Sequence, residues 1–595
     1  MSSSSSSSDD DVDTSTPPPP PRDKLIIGNM TAERRRRQRQ ADAAASVAAA
    51  FAYEAQPLQA VMSDQTREQL LFEVENQEPN SYSDDEPLME PDPAPEVANG
   101  KSIKPKISVA TIPEFSEVAA ATPAHLLGVL VRLVAPSKSE YSNELKRLAT
   151  DVVVVLDIGW CEDESMLDFI KGALLIIIDN MSSRDRLSIV SPCPEPRRLT
   201  HLRTMDEYGK ESLRKIVSSL FFLAEVGDVL DILVKGVRVI DERHFENPAT
   251  SIILLSNRKS LIEPENPKKK AKETASRFYK LPESIAPRTR GINEFKTIPV
   301  HTFGIGPCHD AQVLSLLSSS SLGTYSFVES YEYLPDAVAS CIGGILSVVV
   351  RDIHLSFALT HGKIIWTETG QYSRAISEMG SLCDVIIGAM YANEVKEFRF
   401  EISLPRLKLK GQSSDKMSST LRVTLLYCDC IGESHEDSST KEILRPINPS
   451  PEGCTPSKAV TENKIYRSGA FAISNAKRKA DLNKFDKARQ ILISCMVDMS
   501  ASLRSGDPRT LWIYGEITEI AKWFGSRDLY EKFGNAYATS FLCSNAYQRG
   551  TTRGRYVPGD DEGLDFQAYT TPDMVDLVNE VRSERHRNGG KPGKN

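Results

Sequence analysis

The stretch D-V-V-V-V-L-D-I-G-W-C, residues 151–161, decides the fold. Its run of five apolar residues, four of them valine, predicts a strand that is buried on both faces, as in a parallel sheet. The run ends at Asp157, and a helical pattern follows over 164–180. Because open α/β sheets bind ligands at the carboxyl ends of their strands, Asp157 is a candidate site residue.

Strands and helices alternate from this stretch to about residue 350. Further strands are predicted at 186–191, 251–256, 298–305 and 324–328, with helical patterns between most of them. Such alternation predicts a doubly wound, mostly parallel α/β sheet over 148–350. A basic insertion at 257–291 interrupts it.

The flanking regions have other patterns. Residues 1–122 are rich in serine, proline and acidic residues and are predicted to be disordered, with a helix near 31–62. A strand at 123–137 and short alternating strands over 351–430 predict an antiparallel β-sandwich into which the α/β domain is inserted. A polar linker over 431–460, α-helical hairpins over 461–548 and a mostly disordered tail over 549–595 complete the prediction.

Composition limits the classes of function. The net charge of −9 argues against a general nucleic-acid-binding surface. No signal peptide is visible, and no apolar run approaches the roughly 20 residues that span a bilayer. We expect an intracellular, cytoplasmic protein without a membrane partner. The basic runs at 34–37 and 268–272 leave the nucleus open as a second location.

No motif indicates catalysis. The sequence has neither a phosphate-binding G-x-x-x-x-G-K-[ST] loop nor a G-x-S-x-G nucleophile elbow. Cys308, His309 and Asp310 are adjacent, but sequence neighbours rarely orient as nucleophile and base, and Asp310 is better placed to cap the next helix. We therefore predict no enzymatic activity.

Several stretches resemble the von Willebrand factor A domain as it occurs in the wavy-growth family of plant RING ubiquitin ligases. They are N-P-A-T-S-I-I-L-L-S (247–256), I-P-V-H-T-F-G-I-G-P-C-H-D (298–310), G-T-Y-S-F-V-E (323–329), C-I-G-G-I-L-S-V-V-V (341–350), Y-S-D-D-E-P-L (82–88), N-A-Y-Q-R-G-T-T-R-G (545–554) and A-Y-T-T-P-D-M-V (568–575). The resemblance is colinear over roughly residues 82–580. It implies a von Willebrand A-type sheet and protein partners, namely RING ubiquitin ligases or their targets.

Two departures from that family affect the functional expectation. A RING needs two sets of four zinc ligands, yet the chain has no cysteine before Cys161 and no histidine before His125. Ligase activity is therefore not implied for the chain as given. A sequence that lacked its true beginning would show the same departure, so loss in evolution and loss in the gene model are both open.

The second departure concerns the metal site that the resemblance implies. The family pattern D-x-S-x-S, with a later threonine and aspartate, supplies oxygen ligands for octahedral Mg²⁺. Here Asp157 is kept, but Gly159 and Cys161 stand at the serine positions. The threonine position falls near Asp228, and the final aspartate position is Asn257. We expect no cofactor, and a distorted magnesium site on Asp157 and Asp228 is the alternative.

Without a cation, Asp157 and Asp228 would repel each other and need another positive charge. Arg258 and Lys259 follow Asn257 directly, so we predict that one of them supplies it. The basic run at 268–272 would recruit an acidic partner, although such runs are more often solvated loops. The predicted partner-binding rim is the set Asp157, Gly159, Cys161, Asp228, Asn257, Arg258 and Lys259.

These expectations combine into one functional prediction. The chain is a non-catalytic protein–protein interaction protein with a degenerate metal-ion-dependent adhesion site, and it binds partners of a plant RING ubiquitin-ligase family. One alternative is a ubiquitin-ligase component that contributes to ubiquitin transfer. A second alternative is an adhesion-type binder that depends on Mg²⁺.

Overall fold

The computed structural model describes residues 79–89, 106–141, 147–159, 164–191, 197–220, 228–258, 278, 280–286, 297–407, 418–503, 506–557 and 569–589. Their strands, in chain order, are β1 (Ser108–Pro113), β2 (Ala124–Val134), β3 (Thr150–Asp157), β4 (Arg186–Ser191), β5 (Arg197–Arg198), β6 (Arg203–Thr204), β7 (Ala249–Ser256), β8 (Val300–Ile305), β9 (Tyr325–Val328), β10 (Val348–Leu359), β11 (Lys363–Glu368), β12 (Ser373–Ile376), β13 (Leu382–Tyr391), β14 (Val395–Leu404), β15 (Ser418–Asp429), β16 (Ser434–Leu444) and β17 (Arg553–Gly554).

The helices, also in chain order, are α1 (Glu164–Asn180), α2 (Glu207–Ser218), α3 (Val229–Asp241), α4 (Ala311–Ser320), α5 (Leu334–Ile345), α6 (Lys458–Ala480), α7 (Phe485–Leu503), α8 (Pro508–Trp523), α9 (Asn535–Tyr547) and α10 (Pro572–Gly589). Among the residues that the structure describes, no helix is both long enough and apolar enough to cross a membrane.

The central sheet is built around β3, as the valine run predicts. Its strand order is β17-β9-β8-β7-β3-β4-β5, and β3 pairs in parallel with β4 and β7. Every residue of β3 is buried. Val153 and Val155 pack toward α3 and α4, whereas Val152, Val154 and Leu156 pack toward α1 and α5. Helices therefore cover both faces, and the predicted α/β fold is confirmed.

The antiparallel part consists of two sheets. One has the strand order β1-β2-β14-β11 and the other β12-β13-β10-β15-β16. Phe357 of β10 and Phe400 of β14 stack between them, with ring centroids 4.1 Å apart. β2 precedes the α/β domain in sequence and pairs with β14, which follows it. The chain thus leaves the sandwich for the α/β sheet and returns to it.

The C-terminal helices form a third core. Ile473 of α6, Leu492 of α7 and Ile513 of α8 are fully buried in it. α6 and α7 form an antiparallel hairpin whose turn includes Asn483, which has a positive φ of 56°. Asparagine tolerates this left-handed conformation better than most residues, which suits it to a tight turn between two helices.

The prediction of disorder over 1–122 is wrong for residues 79–89 and 106–122. β1 pairs with β2 along its whole length. Residues 81–88 lie against the α/β domain, where Asp85 forms an ion pair with buried Arg186. Composition was misleading here because acidic side chains that suggest disorder are satisfied by arginines elsewhere in the chain. The helix predicted near 31–62 lies outside the described residues.

The predicted linker over 431–460 is also wrong, because β16 occupies much of it. This strand pairs with β15 from Ser434 to Leu444 and lies at the edge of its sheet. Its side chains are mostly exposed or half-buried. An edge strand with one solvated face needs few apolar residues, so its polar sequence is typical of a linker as well.

The predicted disordered tail over 549–595 is wrong for residues 549–557 and 572–589. β17 pairs in parallel with β9 at the edge of the α/β sheet. α10 buries Leu577, Val578 and Val581 in the core that α5 shares. Part of the insertion at 257–291 is ordered too, since Leu281 and Ile285 are buried in the α/β core.

Candidate functional site

The candidate site lies at the carboxyl end of the central strands. Asp157 is the last residue of β3, and its register partner Ser256 is the last residue of β7. Both are almost fully buried. The Ser256 hydroxyl donates a hydrogen bond to Asp157 Oδ2 at 2.7 Å. Parallel pairing of two strands therefore brings a carboxylate and a hydroxyl together at the sheet end where ligands bind in open α/β folds.

Arg258 makes the charge contact to Asp157. Its Nη2 and Nε donate to Asp157 Oδ1 at 2.7 and 3.0 Å. The Arg258 side chain is 18% exposed, whereas that of Asp157 is 2% exposed. Burial raises the pKa of Asp157 above its ordinary value, and the Arg258 charge and the hydrogen bonds from Ser256 and Arg258 oppose that rise. The guanidinium thus compensates a carboxylate that water barely reaches.

Gly159 leaves space for this guanidinium. A Cβ at Gly159 would lie 2.7 Å from Arg258 Cδ, closer than real Cβ atoms approach a neighbour. The Gly159 N–H donates to Asn257 Oδ1 at 2.8 Å, and Asn257 Nδ2 donates to the Tyr331 hydroxyl at 2.7 Å. Asn257 therefore uses both ends of its amide to join the loop after β3 to the segment that follows β9.

The three remaining residues of the predicted rim are Asp228, Cys161 and Lys259. Asp228 precedes α3, and its carboxylate accepts the Leu230 N–H at 3.1 Å as the cap of that helix. Helix capping is a sufficient structural reason for an aspartate there. Cys161 and Lys259 lie outside the described residues, as does the basic run at 268–272.

Among the described residues, the side-chain oxygens at this sheet end are engaged in contacts other than those of a magnesium ion. Gly159 offers no side-chain ligand, Asn257 Oδ1 already accepts an amide hydrogen bond, and Asp157 Oδ1 accepts two donors from Arg258. Mg²⁺ requires several oxygen ligands in near-ideal geometry. A guanidinium that contacts Asp157 also repels a cation at the same place.

Two members of this cluster, Ser256 and Tyr331, are not predicted as site residues from the sequence. Ser256 was counted only as a strand residue, although its place next to Asn257 in the run L-L-S-N could have suggested it. Tyr331 had no such signal, since it lies 74 residues after Asn257 and reaches the site only through packing of the segment that follows β9.

A second polar cluster, Asp429, Glu433 and His435, lies at the turn between β15 and β16. Asp429 Oδ1 accepts the N–H groups of Ile431 and Glu433 at 3.0 and 2.9 Å, and its Oδ2 lies 2.8 Å from His435 Nε2. The carboxylate is therefore engaged in holding the hairpin turn, which is the function that these contacts support.

The adjacent residues Cys308, His309 and Asp310 do not form a catalytic pair. His309 is buried, and its ring nitrogens contact Gly306 O at 2.7 Å and the Tyr325 hydroxyl at 2.6 Å. Cys308 is exposed. Asp310 caps α4 by accepting the N–H groups of Gln312 and Val313, as the sequence predicts.

Comparison with known proteins supports the family resemblance. A family model described as von Willebrand factor type A domain matches residues 150–230 and 272–327. The E3 ubiquitin-protein ligase WAV3 of Arabidopsis thaliana is 27% identical over 320 residues, which cover 50% of this chain and 38% of the relative. The probable E3 ubiquitin-protein ligase WAVH2 of the same plant is 26% identical over 411 residues, which cover 67% of this chain and 52% of the relative.

The chain spans about half or less of the length of these curated relatives. Among solved structures, the von Willebrand factor type A protein of Catenulispora acidiphila matches with a TM-score of 0.51 and 16% identity, over 71% of this chain and 91% of that one. At this identity the match establishes a shared fold and says nothing about shared chemistry.

Proposed function

We propose that this chain, which contains a von Willebrand factor type A domain and is related to Arabidopsis ubiquitin ligases, is a non-catalytic protein-interaction protein. It binds RING ubiquitin ligases of the wavy-growth type at the carboxyl end of β3 and β7. Binding there needs no metal ion. We place its action inside the cell, in the cytoplasm with the nucleus as a second location.

The observation that carries this proposal is the contact between Arg258 and Asp157. In a metal-dependent A domain, a cation on the aspartate leaves one position for a partner's carboxylate. Here a guanidinium holds the aspartate, with Ser256 on the other carboxylate oxygen. Arg258 is 18% exposed, so without a metal ion a partner's acidic group still meets a guanidinium at this rim.

Thermal unfolding of the full chain tests the metal-free part of the proposal. We expect the same midpoint with Mg²⁺ and with EDTA, because Arg258 already compensates Asp157. A rise in midpoint on adding Mg²⁺ that disappears in Asp157→Ala would overturn metal independence. It would support the alternative of a Mg²⁺-dependent adhesion-type binder instead.

Direct binding tests the interaction face, with purified Arabidopsis WAV3 as the probe. Glu332 is exposed and follows Tyr331, so Glu332→Arg changes the charge beside the site. Glu211→Arg makes the same change on the exposed side of α2 and is the control. We expect binding that persists in EDTA, is strengthened by Glu332→Arg because the partner presents acidic groups, and is unchanged by Glu211→Arg. Equal effects of the two variants, or no binding, would contradict the proposal.

The alternative is a ubiquitin-ligase component that contributes to ubiquitin transfer, and the names of the curated relatives favour it. Autoubiquitination with purified full chain, activating enzyme and conjugating enzymes separates the two functions. Our proposal expects no conjugates without an added RING protein. Conjugates formed by the chain alone would establish catalysis and overturn the non-catalytic role.

A further inference from the structure

An acidic segment, residues 81–88, binds the α/β domain at the end of the sheet opposite Asp157. We call this segment the strap. It contacts Arg186, the first residue of β4, and the backbone of His244 and Phe245 just before β7. These positions are the amino ends of the parallel strands, whereas Asp157 is at a carboxyl end. The strap therefore occupies a surface that the candidate site does not include.

Asp85 is the central contact of the strap. Its Oδ2 accepts Arg186 Nη1 at 2.9 Å and the Phe245 N–H at 3.0 Å, and its Oδ1 accepts the His244 N–H at 2.7 Å. Both charged side chains are 1% exposed. Burial alone would raise the pKa of Asp85, but the two backbone amides and Arg186 hold it below the ordinary value.

The domain needs an acceptor at this position. Arg186 donates through Nε and Nη2 to Asp151 at 2.8 Å each, so one edge of its guanidinium is satisfied within the domain. The acceptors described for Nη1 are Asp85 Oδ2 and the backbone oxygen of Glu86, and both belong to the strap. A buried guanidinium left with fewer acceptors is costly, so the vacated surface would favour another acidic ligand.

Tyr82 fixes the position of the strap through its aromatic ring. The ring is 1% exposed and lies between two guanidiniums, with Arg198 Cζ 4.4 Å and Arg238 Cζ 4.6 Å from its centroid. Its backbone N–H donates to Glu242 Oε2 at 2.8 Å. Two cations on one ring favour an aromatic residue at this position over an aliphatic one.

The other two acidic side chains of the strap are also paired. Asp84 accepts two hydrogen bonds from Arg198 at 2.6 Å each. Glu86 accepts the Thr204 N–H at 2.7 Å, and its other carboxylate oxygen lies 3.0 Å from His201 Nε2 and 3.3 Å from Arg203 Nε. Side chains at positions 82, 84, 85 and 86 are thus each read by specific groups of the domain.

We propose that this surface, the strap groove formed by Arg186, Arg198, Arg203, Arg238 and His244, is a binding site for linear peptides of the pattern Tyr-x-Asp-Asp-Glu. Its own strap occupies it in cis, and a second copy of the chain can supply the strap in trans. The contacts join the groove to side chains and single backbone groups of the strap. A separate peptide of the same sequence can therefore make the same contacts.

Because the strap is covalently linked to the domain, it competes with any ligand that binds the groove in trans. The strap and the groove belong to one chain, and such intramolecular attachment gives an effective concentration on the order of 1 mM. A peptide in trans must therefore overcome the high effective concentration of the attached strap. The intact chain therefore masks the groove, and events that release the strap expose it. This inference is independent of the proposed function, since it concerns the other end of the sheet.

A labelled peptide of residues 79–89 tests the proposal on the full chain. The release variant is Tyr82→Ala/Asp84→Ala/Asp85→Ala. We expect the peptide to bind this variant saturably and the wild type at least about tenfold more weakly, as masking requires. A peptide carrying Asp85→Asn should lose roughly tenfold in affinity. Absence of saturable binding to a release variant that still unfolds cooperatively would overturn the proposal.

A second form of the protein decides the matter if the release variant does not fold. A protease site inserted within 90–105 leaves every contact of the strap intact, and cleavage then removes only the tether. We expect excess labelled peptide to displace the cleaved N-terminal piece, and Arg198→Ala to weaken the peptide roughly tenfold. A piece that cannot be displaced, or that leaves without the peptide taking its place, would overturn the proposal.

Discussion

A single arginine determines the chemistry at the carboxyl end of β3. From sequence alone, the position of Asp157 at the end of a buried strand predicts it as a site residue. The need to compensate its charge predicts Arg258 or Lys259 as its partner. Packing then decides the remaining contacts. The Tyr331 hydroxyl joins the cluster through Asn257, and nothing in the residues around position 331 indicates it. Local sequence therefore predicts the charged pair but not the polar groups that orient it.

Removing Arg258 should expose how strongly Asp157 depends on it. Arg258→Ala leaves a buried carboxylate without its cation, and we expect a loss of about 3 kcal/mol in the free energy of unfolding at pH 7. Burial already raises the pKa of Asp157, and loss of Arg258 raises it further. The folded state of Arg258→Ala then binds a proton at Asp157 more tightly than the unfolded state does. The stability of the variant therefore falls as pH rises from the unfolded-state pKa of Asp157 to its higher folded-state pKa.

Urea denaturation at pH 5 and pH 7 measures this difference. The loss caused by Arg258→Ala should be smaller at pH 5, where more of Asp157 is protonated. The control is Asp157→Asn/Arg258→Ala, which removes both charges and should be less destabilised than Arg258→Ala at pH 7. A loss that is equal at both pH values and in both variants would show that Arg258 stabilises by packing alone.

His309 should make the protein sensitive to acid. Burial lowers the pKa of His309 to about 4, and the ring contacts Gly306 O and the Tyr325 hydroxyl. The unfolded state, with a histidine pKa of about 6.5, binds more protons between these values. Stability contributed by His309 is therefore present above pH 6.5 and is lost as pH falls toward 4, by roughly 1 kcal/mol per pH unit.

The measurement is the free energy of unfolding of His309→Gln relative to the wild type across this pH range. We expect the difference between them to narrow as pH falls. His361→Gln at an exposed position is the control and should leave the slope unchanged. A difference that stays constant with pH would contradict the titration of His309.

At the scale of elements, the sequence is most informative where a segment is buried on both faces. The valine run of β3 and the alternation up to β9 predict the α/β sheet correctly. Strands at sheet edges were missed because their outward faces are polar, as in β16. The strand pairing that orders such a segment comes from a neighbour distant in sequence, so composition alone cannot distinguish it from a linker.

Two helical glycines give a matched test of the packing of α10. A Cβ at Gly343 of α5 would lie 2.7 Å from the backbone oxygen of Asp573 at the start of α10. A Cβ at Gly172 of α1 meets nothing within 4 Å. Alanine is the better helix former by roughly 0.5–1 kcal/mol. We expect Gly172→Ala to stabilise the protein and Gly343→Ala to destabilise it by about 1–3 kcal/mol, because the backbone of α10 must shift.

Thermal and urea unfolding of the two variants compare the same chemical change in two surroundings. Limited proteolysis adds a readout specific to α10, since Gly343→Ala should increase cleavage within 572–589 and Gly172→Ala should not. Equal stabilisation by both substitutions would mean that α10 does not pack closely on α5 in solution.

At the scale of the whole molecule, residues 545–557 join all three parts. Arg549 donates to Glu394 of the sandwich at 3.0 Å, and Arg553 donates to Glu516 of α8 at 2.6 Å. β17, two residues long, extends the α/β sheet beside β9. A prediction that assigns each stretch of sequence to one domain cannot describe a segment that contacts three. The polar residues of this segment predict a tail, yet in the fold Arg549 and Arg553 are buried with opposite charges, and the exposed Arg555 pairs with Glu329.

The α/β domain should therefore be unstable when it is cut at its predicted boundaries. A fragment of residues 148–350 lacks β17, leaves β9 as an open sheet edge and uncovers the α5 surface on which Leu577, Val578 and Val581 pack. Open edges and uncovered apolar surface favour aggregation. We expect this fragment to bind a hydrophobic dye and to melt at a lower temperature, with a broader transition, than the full chain.

A fragment of residues 79–589 retains every described contact and is the control, so it should melt cooperatively like the full chain. If the 148–350 fragment melts as sharply and at the same temperature, the C-terminal segments add no stability to the sheet, and the contiguous domain boundaries are sufficient after all.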